Sequence, residues 1–227
     1  MIALLIPSRG RPERAERMIL SALETASDTI EVRLLVDPDD PRLAEYQALI
    51  FAPLVLRVLP APMGYTAALN HAAREAWDEF AVLGAFGDDV VFRTSGWDRR
   101  VEEALQHPGI AYGDDLIHGR NHPSAVFMSS AIAKALGWLA LPATTHQWAD
   151  DGWKRLGQAT GTLRFVEEVI VEHEHPAVGK AEWDETYTAV FDSDRAKSDY
   201  EGFTAWVETG GLDRDAAIVR QVVEAAA

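Results

Sequence analysis

The sequence predicts an α/β fold in which helices cover both faces of a mostly parallel β-sheet. Residues 2–6 are all apolar and are followed by Pro7, which is typical of a short strand buried on both faces. Strand patterns then alternate with helical patterns through roughly the first 90 residues, which indicates βαβ units. Polar residues follow these strands at the edge where parallel sheets bind ligands.

Each element of this first part has its own pattern. A helix is predicted from Pro12, because proline fits the first helical turn, and its apolar residues recur at helical spacing. The second strand covers residues 31–36 and ends in a run of aspartate and proline that predicts a turn. The remaining elements are a short helix to Leu49, a strand near residues 55–58, a helix at 65–77 and a strand at 81–86.

The regular alternation of strand and helix patterns ends after Phe92. A Trp-rich stretch, short strands and a helical, polar tail from Ser193 replace the regular alternation. We expect one domain over residues 1–190 and a helical C-terminal extension over residues 191–227 that packs on it. The elements predicted in this part are helices at 96–106, 129–137 and 147–156, and a hairpin at 162–171.

Composition excludes several classes of function. The chain has 21 basic and 36 acidic residues and a net charge of −15, so non-specific binding to nucleic acid or an anionic membrane is disfavoured. It has no cysteine, which excludes disulfides and thiolate catalysis and fits a cytoplasmic location. It lacks a signal-peptide pattern and any run approaching about 18 apolar residues, so we expect no membrane segment.

Two adjacent aspartates, Asp88 and Asp89, follow the apolar strand at residues 81–86. Neighbouring carboxylates repel each other, and burial raises the free-energy cost of both charges. A bound divalent cation would relieve that cost, and oxygen ligands suit Mn²⁺ or Mg²⁺. The alternative interpretation is a turn in which an aspartate caps a helix.

His173 and His175 lie in a segment rich in glutamate and are candidate metal ligands. We expect them to face opposite sides of an extended chain, so that at most one contacts a given metal. Asp150 and Asp151 begin a predicted helix. They either complement the helix dipole or provide a general base beside the neighbouring tryptophans.

Taken in order, these residues resemble nucleotide-sugar glycosyltransferases of the GT-A fold, of the large family 2 type, over roughly residues 2–180. The Asp-x-Asp signature of that family corresponds to Gly87-Asp88-Asp89, where Gly87 departs from the pattern. The short length and the segment 172–180 also resemble small bacteriophage-encoded glycosyltransferases. The turn after the first strand, the acid after the second and the start of the third helix match as Pro7-Ser8-Arg9, Asp37 and Gly64 to Asn70.

The resemblance implies a role for each of these residues. Asp151, with Asp150 beside it, would be the catalytic base. A Mn²⁺ or Mg²⁺ ion would be bound by Asp88, Asp89 and one of His173 and His175. The donor, a nucleoside-diphosphate sugar, would be contacted by Pro7, Ser8, Arg9, Asp37, Gly64, Asn70, Asp88 and Lys180.

We therefore expect a metal-dependent, inverting glycosyltransferase that transfers a hexosyl or pentosyl group to an acceptor hydroxyl. The acceptor would be a glycan, a protein or a modified DNA base, in the host cytoplasm if the protein is phage-encoded. Two alternatives stay open. A metal-dependent sugar nucleotidyltransferase would need a glycine-rich loop, and residues 8–12 form a poor one. A non-catalytic protein of the same fold would bind the nucleotide sugar alone.

Overall fold

A computed structural model gives the fold and describes residues 1–49, 53–190 and 193–226. Short 3₁₀ turns cover Gly119–Asn121 and Pro176–Val178. The described strands are β1 (Ile2–Ser8), β2 (Glu31–Val36), β3 (Leu54–Val58), β4 (Val82–Ala85), β5 (Val90–Phe92), β6 (Ile110–Asp114), β7 (Val126–Ser129) and β8 (Leu163–His173). The described helices are α1 (Pro12–Thr25), α2 (Leu43–Ala48), α3 (Tyr65–Ala76), α4 (Trp97–Ala104), α5 (Ser130–Leu136), α6 (Ala149–Thr160), α7 (Glu185–Val190), α8 (Ser193–Glu208) and α9 (Gly211–Ala225).

The strands form one sheet in the order β3-β2-β1-β4-β7-β6-β8-β5. The first four of these are parallel, as is the pair β6 and β8, whereas β7 and β5 pair antiparallel to their neighbours. The predicted mostly parallel α/β sheet is confirmed. Strand β1 lies between β2 and β4, so the chain reverses its direction of travel across the sheet there, and ligands bind at such reversals in α/β folds.

The core has two halves, one on each face of the sheet. Alternate residues of β1 point to opposite faces, with Leu4 and Ile6 on one side and Ala3 and Leu5 on the other. The first face is covered by α1 and α4, and the second by α3, α5, α6, α8 and α9. Because both faces are covered, β1 is apolar along its length until Ser8, at the carboxyl edge of the sheet.

The segment predicted as a hairpin at residues 162–171 is a single long strand, and that prediction is wrong. Strand β8 pairs parallel with β6, loses its regular register after Tyr112, and then pairs antiparallel with β5. Strand β5 was not predicted either. Its residues 90–92 are all buried, but three apolar residues give no periodicity from which to read a strand.

The C-terminal helices pack on the second face. Phe203 and Trp206 of α8 and Val219 of α9 belong to the same buried cluster as Trp153 of α6. A Cβ on Gly202 would lie 2.0 Å from the carbonyl oxygen of residue 143, so the two backbones touch there. The predicted domain boundary stays a prediction, since residues 191 and 192 lie outside the described residues.

Within the described ranges, none of the helices combines the length and the apolar character that crossing a bilayer requires.

Candidate active site

Asp88 points inward from the end of β4 toward the end of β1. Its carboxylate accepts hydrogen bonds from Ser8 Oγ at 2.5 Å and from Arg11 Nη1 at 3.3 Å, and only 6% of the residue is exposed. Burial and the charge of neighbouring Asp89 raise the pKa of Asp88 to about 6. The side chain therefore joins β1, α1 and β4 at the edge where ligands bind.

Asp89 points the other way, toward β8. Val90 is paired with His173 in the β5–β8 ladder, and this register places Asp89 Oδ2 3.4 Å from His173 Nε2. The hydroxyl of Tyr187 donates to the same oxygen at 2.9 Å. Burial raises the pKa of Asp89, but the contacts with His173 and Tyr187 outweigh it and lower the pKa below its ordinary value.

His173 and His175 lie on the same side of the chain, so the expectation that they face opposite sides is wrong. Their ring centroids are 5.2 Å apart, because residues two positions apart in an extended chain share a face. The ring of His175 is oriented by its Nδ1, which accepts a hydrogen bond from the backbone of Ala177 at 3.1 Å. Both imidazoles therefore lie beside Asp89.

Helix α7 lies over this pair of carboxylates and is attached to the start of α1. Asp184, just before α7, accepts a hydrogen bond from Arg11 Nε at 2.7 Å. The Arg11 guanidinium lies 3.9 Å above the ring of Tyr187, and Arg14 donates to the Tyr187 hydroxyl at 2.7 Å. Asp184 thus contacts Arg11 at the start of α1, and Tyr187 contacts the carboxylate of Asp89.

The first turn of α6 brings together His122, Asp150 and Asp151. His122 Nε2 lies 2.8 Å from Asp150 Oδ2, and Asp150 Oδ1 accepts the backbone N–H of Asp151 at 2.9 Å. Each of the three residues offers a ligand atom within 4.8 Å of the others, so this group could also hold a metal ion. Among the described residues, none donates a hydrogen bond to the Asp151 carboxylate.

The two carboxylates of this turn have opposite pKa shifts. Burial raises the pKa of Asp150, but the contact with His122 outweighs burial and lowers it. Burial, together with the negative charge of Asp150, raises the pKa of Asp151. A pair of acids whose pKa values are pushed apart is typical of acid–base sites.

Asp199 of α8 fixes the loop that leads into α6. It is 1% exposed and accepts backbone hydrogen bonds from residues 145, 146 and 147 at 2.7–3.0 Å. The next residue, Trp148, has a φ of +66°, a conformation that a bulky side chain rarely adopts. Its ring stacks on Phe203 of α8 at 5.4 Å, so α8 contributes to the position of the start of α6.

Tyr65 and His146 connect the two acidic groups. Their ring centroids are 4.9 Å apart, and the backbone of Thr66 donates to the carbonyl oxygen of Thr145 at 3.1 Å. Burial raises the pKa of Tyr65, and the charges of both Asp89 and Asp150 raise it further. Both carboxylates also act on His146, so Asp89 and Asp150 lie within electrostatic reach of the same pair of rings.

The region predicted to bind the nucleobase lies farther along the same edge of the sheet. Asp37 accepts the backbone N–H of Met63 at 2.8 Å and lies 3.3 Å from Arg9 Nη1. Pro7 lies within β1, next to that turn. Gly64 is the N-cap of α3, and a Cβ there would lie 3.1 Å from the carbonyl oxygen of Thr145.

Two other residues predicted to bind the nucleotide-sugar donor, Asn70 and Lys180, form contacts within the protein. Asn70 is 4% exposed, and its side-chain amide binds the backbone of residues 139 and 140 at 2.7–2.9 Å. The amide therefore connects α3 to the segment before α6, and its predicted contact with the donor stays a prediction. Lys180 forms an ion pair with Glu172 at 2.9 Å, near the histidine pair.

Reasoning from the sequence missed several residues of this cleft. The missed residues are Tyr65, His122, His146, Tyr187 and Asp199. Tyr65 stands beside a residue that was singled out, so its position at a helix start was an available signal. The others contact the site only through pairings of distant segments, for which the sequence carries no local pattern.

No protein-family model and no curated protein matches this sequence, but solved structures match the fold. One is the mannosyltransferase PcManGT from Pyrobaculum calidifontis in complex with GDP-Man and Mn²⁺, with a TM-score of 0.60 and 14% identity over 99% of this chain and 73% of that chain. Another is S. aureus TarS 1-349 in complex with UDP-GlcNAc, with a TM-score of 0.64 and 11% identity over 98% of this chain and 70% of that chain. The predicted GT-A fold is confirmed.

A third match is a putative glucose-1-phosphate thymidylyltransferase from Bacillus anthracis. Its TM-score is 0.53 at 10% identity, over 83% of this chain and 99% of that chain. At these identities the comparisons establish the fold alone, which glycosyltransferases and a nucleotidyltransferase share. They give no support to the resemblance to bacteriophage-encoded enzymes.

We predict that Asp199→Ala destabilises the protein by about 2–4 kcal/mol, because several buried backbone donors lose their acceptor. Urea unfolding followed by circular dichroism measures this change. Lys197→Ala, an exposed position on the same helix, is the control and should shift stability by less than about 0.5 kcal/mol. Equal stability of both variants would show that the loop before α6 does not depend on Asp199.

Proposed function

We propose that this protein is a metal-dependent, inverting glycosyltransferase that transfers a hexosyl or pentosyl group from a nucleoside-diphosphate sugar to an acceptor hydroxyl. The observation that carries the proposal is the contact of Asp89 with His173 at the carboxyl edge of the sheet. Tyr65, whose pKa both Asp89 and Asp150 raise, links this contact to the acids that begin α6. The similarity to structures solved with GDP-Man and Mn²⁺ or with UDP-GlcNAc supports it.

The residues beside Asp89 fit a divalent cation. Neighbouring ligands of a cation bound at roughly 2.1 Å lie roughly 3 Å apart, and Asp89 Oδ2 and His173 Nε2 are 3.4 Å apart. His175 is the next candidate ligand, whereas Asp88 would have to turn away from Ser8 and Arg11 to reach the same ion. A mixed set of carboxylates and imidazoles suits Mn²⁺, with Mg²⁺ as the second choice. When bound, the cation would neutralise charge on the leaving diphosphate.

The donor would lie across the ends of β1, β2 and α3. Asp37 would accept hydrogen bonds from the nucleobase or ribose, while the backbone at Pro7 and Gly64 allows close approach. Ser8 and Arg9 lie where the diphosphate would pass, and Lys180 would contribute positive charge from the other side. This arrangement uses the strand ends that open α/β sheets generally use for ligands.

Asp151 would act as the general base. Its raised pKa and its lack of a hydrogen-bond donor within the described residues leave an oxygen able to accept a proton. It would take the proton of the acceptor hydroxyl as that oxygen attacks the anomeric carbon, and a single displacement inverts that centre. The net charge of −15 favours a hydroxyl on a glycan or protein over one in long duplex DNA.

Isothermal titration of Mn²⁺ and then of GDP-mannose or UDP-GlcNAc, followed by a transfer assay, tests the proposal. Metal-dependent donor binding supports glycosyl transfer. Binding of a nucleoside triphosphate, with release of pyrophosphate when a sugar 1-phosphate is added, would instead establish the nucleotidyltransferase that the thymidylyltransferase similarity allows. Donor binding with no turnover of any acceptor would indicate a binding protein.

We predict that Asp89→Asn weakens Mn²⁺ binding at least about 100-fold, because removing a charged ligand from a buried site leaves the cation undercompensated. Titration calorimetry measures the affinity. Asp78→Asn serves as the control, since that carboxylate is exposed and pairs with Lys134. Unchanged Mn²⁺ affinity in Asp89→Asn, with loss in Asp150→Asn, would move the cation to the His122 group.

We predict that Asp151→Asn lowers kcat by about 10²–10⁴-fold, the range typical of a general base, while the Kd for donor with Mn²⁺ stays unchanged. The amide keeps the shape of the side chain but cannot take the proton. Asp213→Asn, at the exposed first turn of α9, is the matched control. If both variants turn over at the same rate, Asp151 is not the base.

We predict that Tyr187→Phe tightens Mn²⁺ binding about 5- to 10-fold, because it removes a hydrogen bond to a charged oxygen that the cation would otherwise have to displace. Tyr200→Phe, at an exposed position on α8, is the control. Weaker or unchanged binding in Tyr187→Phe would show that its hydroxyl does not compete with the cation for Asp89.

A further inference from the structure

We propose that His122 is a positioning residue for the catalytic base and acts through Asp150. This inference rests on the proposed function, since it assigns a role toward Asp151 as base. His122 Nε2 contacts Asp150 Oδ2 at 2.8 Å, while the other Asp150 oxygen accepts the backbone N–H of Asp151 at 2.9 Å. One carboxylate therefore ties the imidazole to the backbone of the base.

Asp150 cannot turn toward the cleft without losing a contact on each side. Both of its oxygens are engaged, and the two partners lie on different elements, one on the loop after β6 and one on α6. The backbone N–H of Asp151 is bound by Asp150, and this hydrogen bond fixes the position from which the Asp151 side chain extends. The two adjacent acids thus have different roles: Asp150 positions Asp151, and Asp151 is the reactive group.

The loop that carries His122 is itself held from β6. Asp115 accepts backbone hydrogen bonds from residues 117 and 118 at 2.7–2.9 Å, and the hydroxyl of Tyr112 donates to the carbonyl oxygen of Arg120 at 2.8 Å. The rings of His118 and His122 are 5.4 Å apart. These contacts connect the loop of His122 to the end of β6. The imidazole is therefore held in place beside the start of α6.

Charge supports the same assignment. The contact with Asp150 raises the pKa of His122. Burial raises the pKa of Asp150, but the contact with His122 outweighs burial and lowers it. The other charged groups that act on His122 are Asp151, which favours its protonated form, and Lys154, which opposes it. A carboxylate already paired with an imidazole is a poorer base than its unpaired neighbour.

The same three side chains could hold a cation, and the two uses differ in a measurable way. In the positioning role, an N–H of the imidazole lies between His122 and Asp150, and a donor of similar reach can replace it. In the metal role, the nitrogen must give its lone pair to the ion. A glutamine side chain can supply the first interaction through its amide N–H but is a poor substitute in the second.

The test compares His122→Ala and His122→Gln with His107→Ala, a histidine at an exposed position. We expect kcat to fall about 10- to 100-fold in His122→Ala, as for a base misplaced by a fraction of its reach. The donor KM and the Kd for Mn²⁺ should change less than twofold. His122→Gln should recover most of kcat, and the double variant with Asp150→Asn should lose little more than either single variant.

Four results would overturn the inference. Loss of Mn²⁺ binding in both His122 variants would make the group a cation site, with glycosyl transfer left intact as the function. An unchanged kcat in His122→Ala, or a loss that His122→Gln does not recover although both variants unfold at the temperature of the control, would remove the positioning role. Absence of transfer by the unsubstituted protein would overturn the proposed function and, with it, any base to position.

Discussion

Two adjacent carboxylates at the end of a buried strand set the constraint on which the functional edge depends. Asp88 and Asp89 cannot both be desolvated without partners, because each charge raises the cost of the other. The fold resolves this by turning them in opposite directions. Asp88 is bound by Ser8 and Arg11, which ties β4 to β1 and α1, and Asp89 is bound from β8 and α7. The pair thereby links segments from both ends of the chain.

The start of α6 is positioned from two directions. On the β6 side, His122 contacts Asp150 in the first turn of α6. From α8, Asp199 accepts hydrogen bonds from the backbone of the loop before α6. The left-handed conformation of Trp148 lies between them, and such backbone strain persists only where surrounding contacts fix it. Helix α8 therefore contributes to the position of the α6 acids as well as to the hydrophobic core.

The sequence predicted what local patterns encode. Strand β2 was placed at its observed bounds, and α1 and α3 began at the predicted residues, because apolar periodicity and Pro12 mark them. Contacts between distant segments were not predictable in this way. Strand β5 exists because residues 90–92 pair with the end of β8, and that pairing, invisible locally, is what brings His173 to Asp89.

The structure adds two specific facts about the predicted site residues. The facing of His173 and His175 follows from the two-residue period of extended chain, so correct use of that rule would have placed both imidazoles on one side. Asn70 matched a family pattern by position, yet its amide satisfies the backbone of residues 139 and 140. A motif gives the location of a side chain along the chain, whereas its hydrogen-bond partners decide whether it is available to a ligand.

Helix α7 shows how the cleft balances its charges from within the chain. Asp184 contacts Arg11, where an anionic donor would find positive charge, and Tyr187 contacts Asp89, where a cation would find a carboxylate. Helix α7 and the residue before it therefore satisfy one charge on each side of the Asp88–Asp89 pair. A ligand at either position would have to compete with the contact already there, so part of its binding free energy would be offset by the loss of that contact.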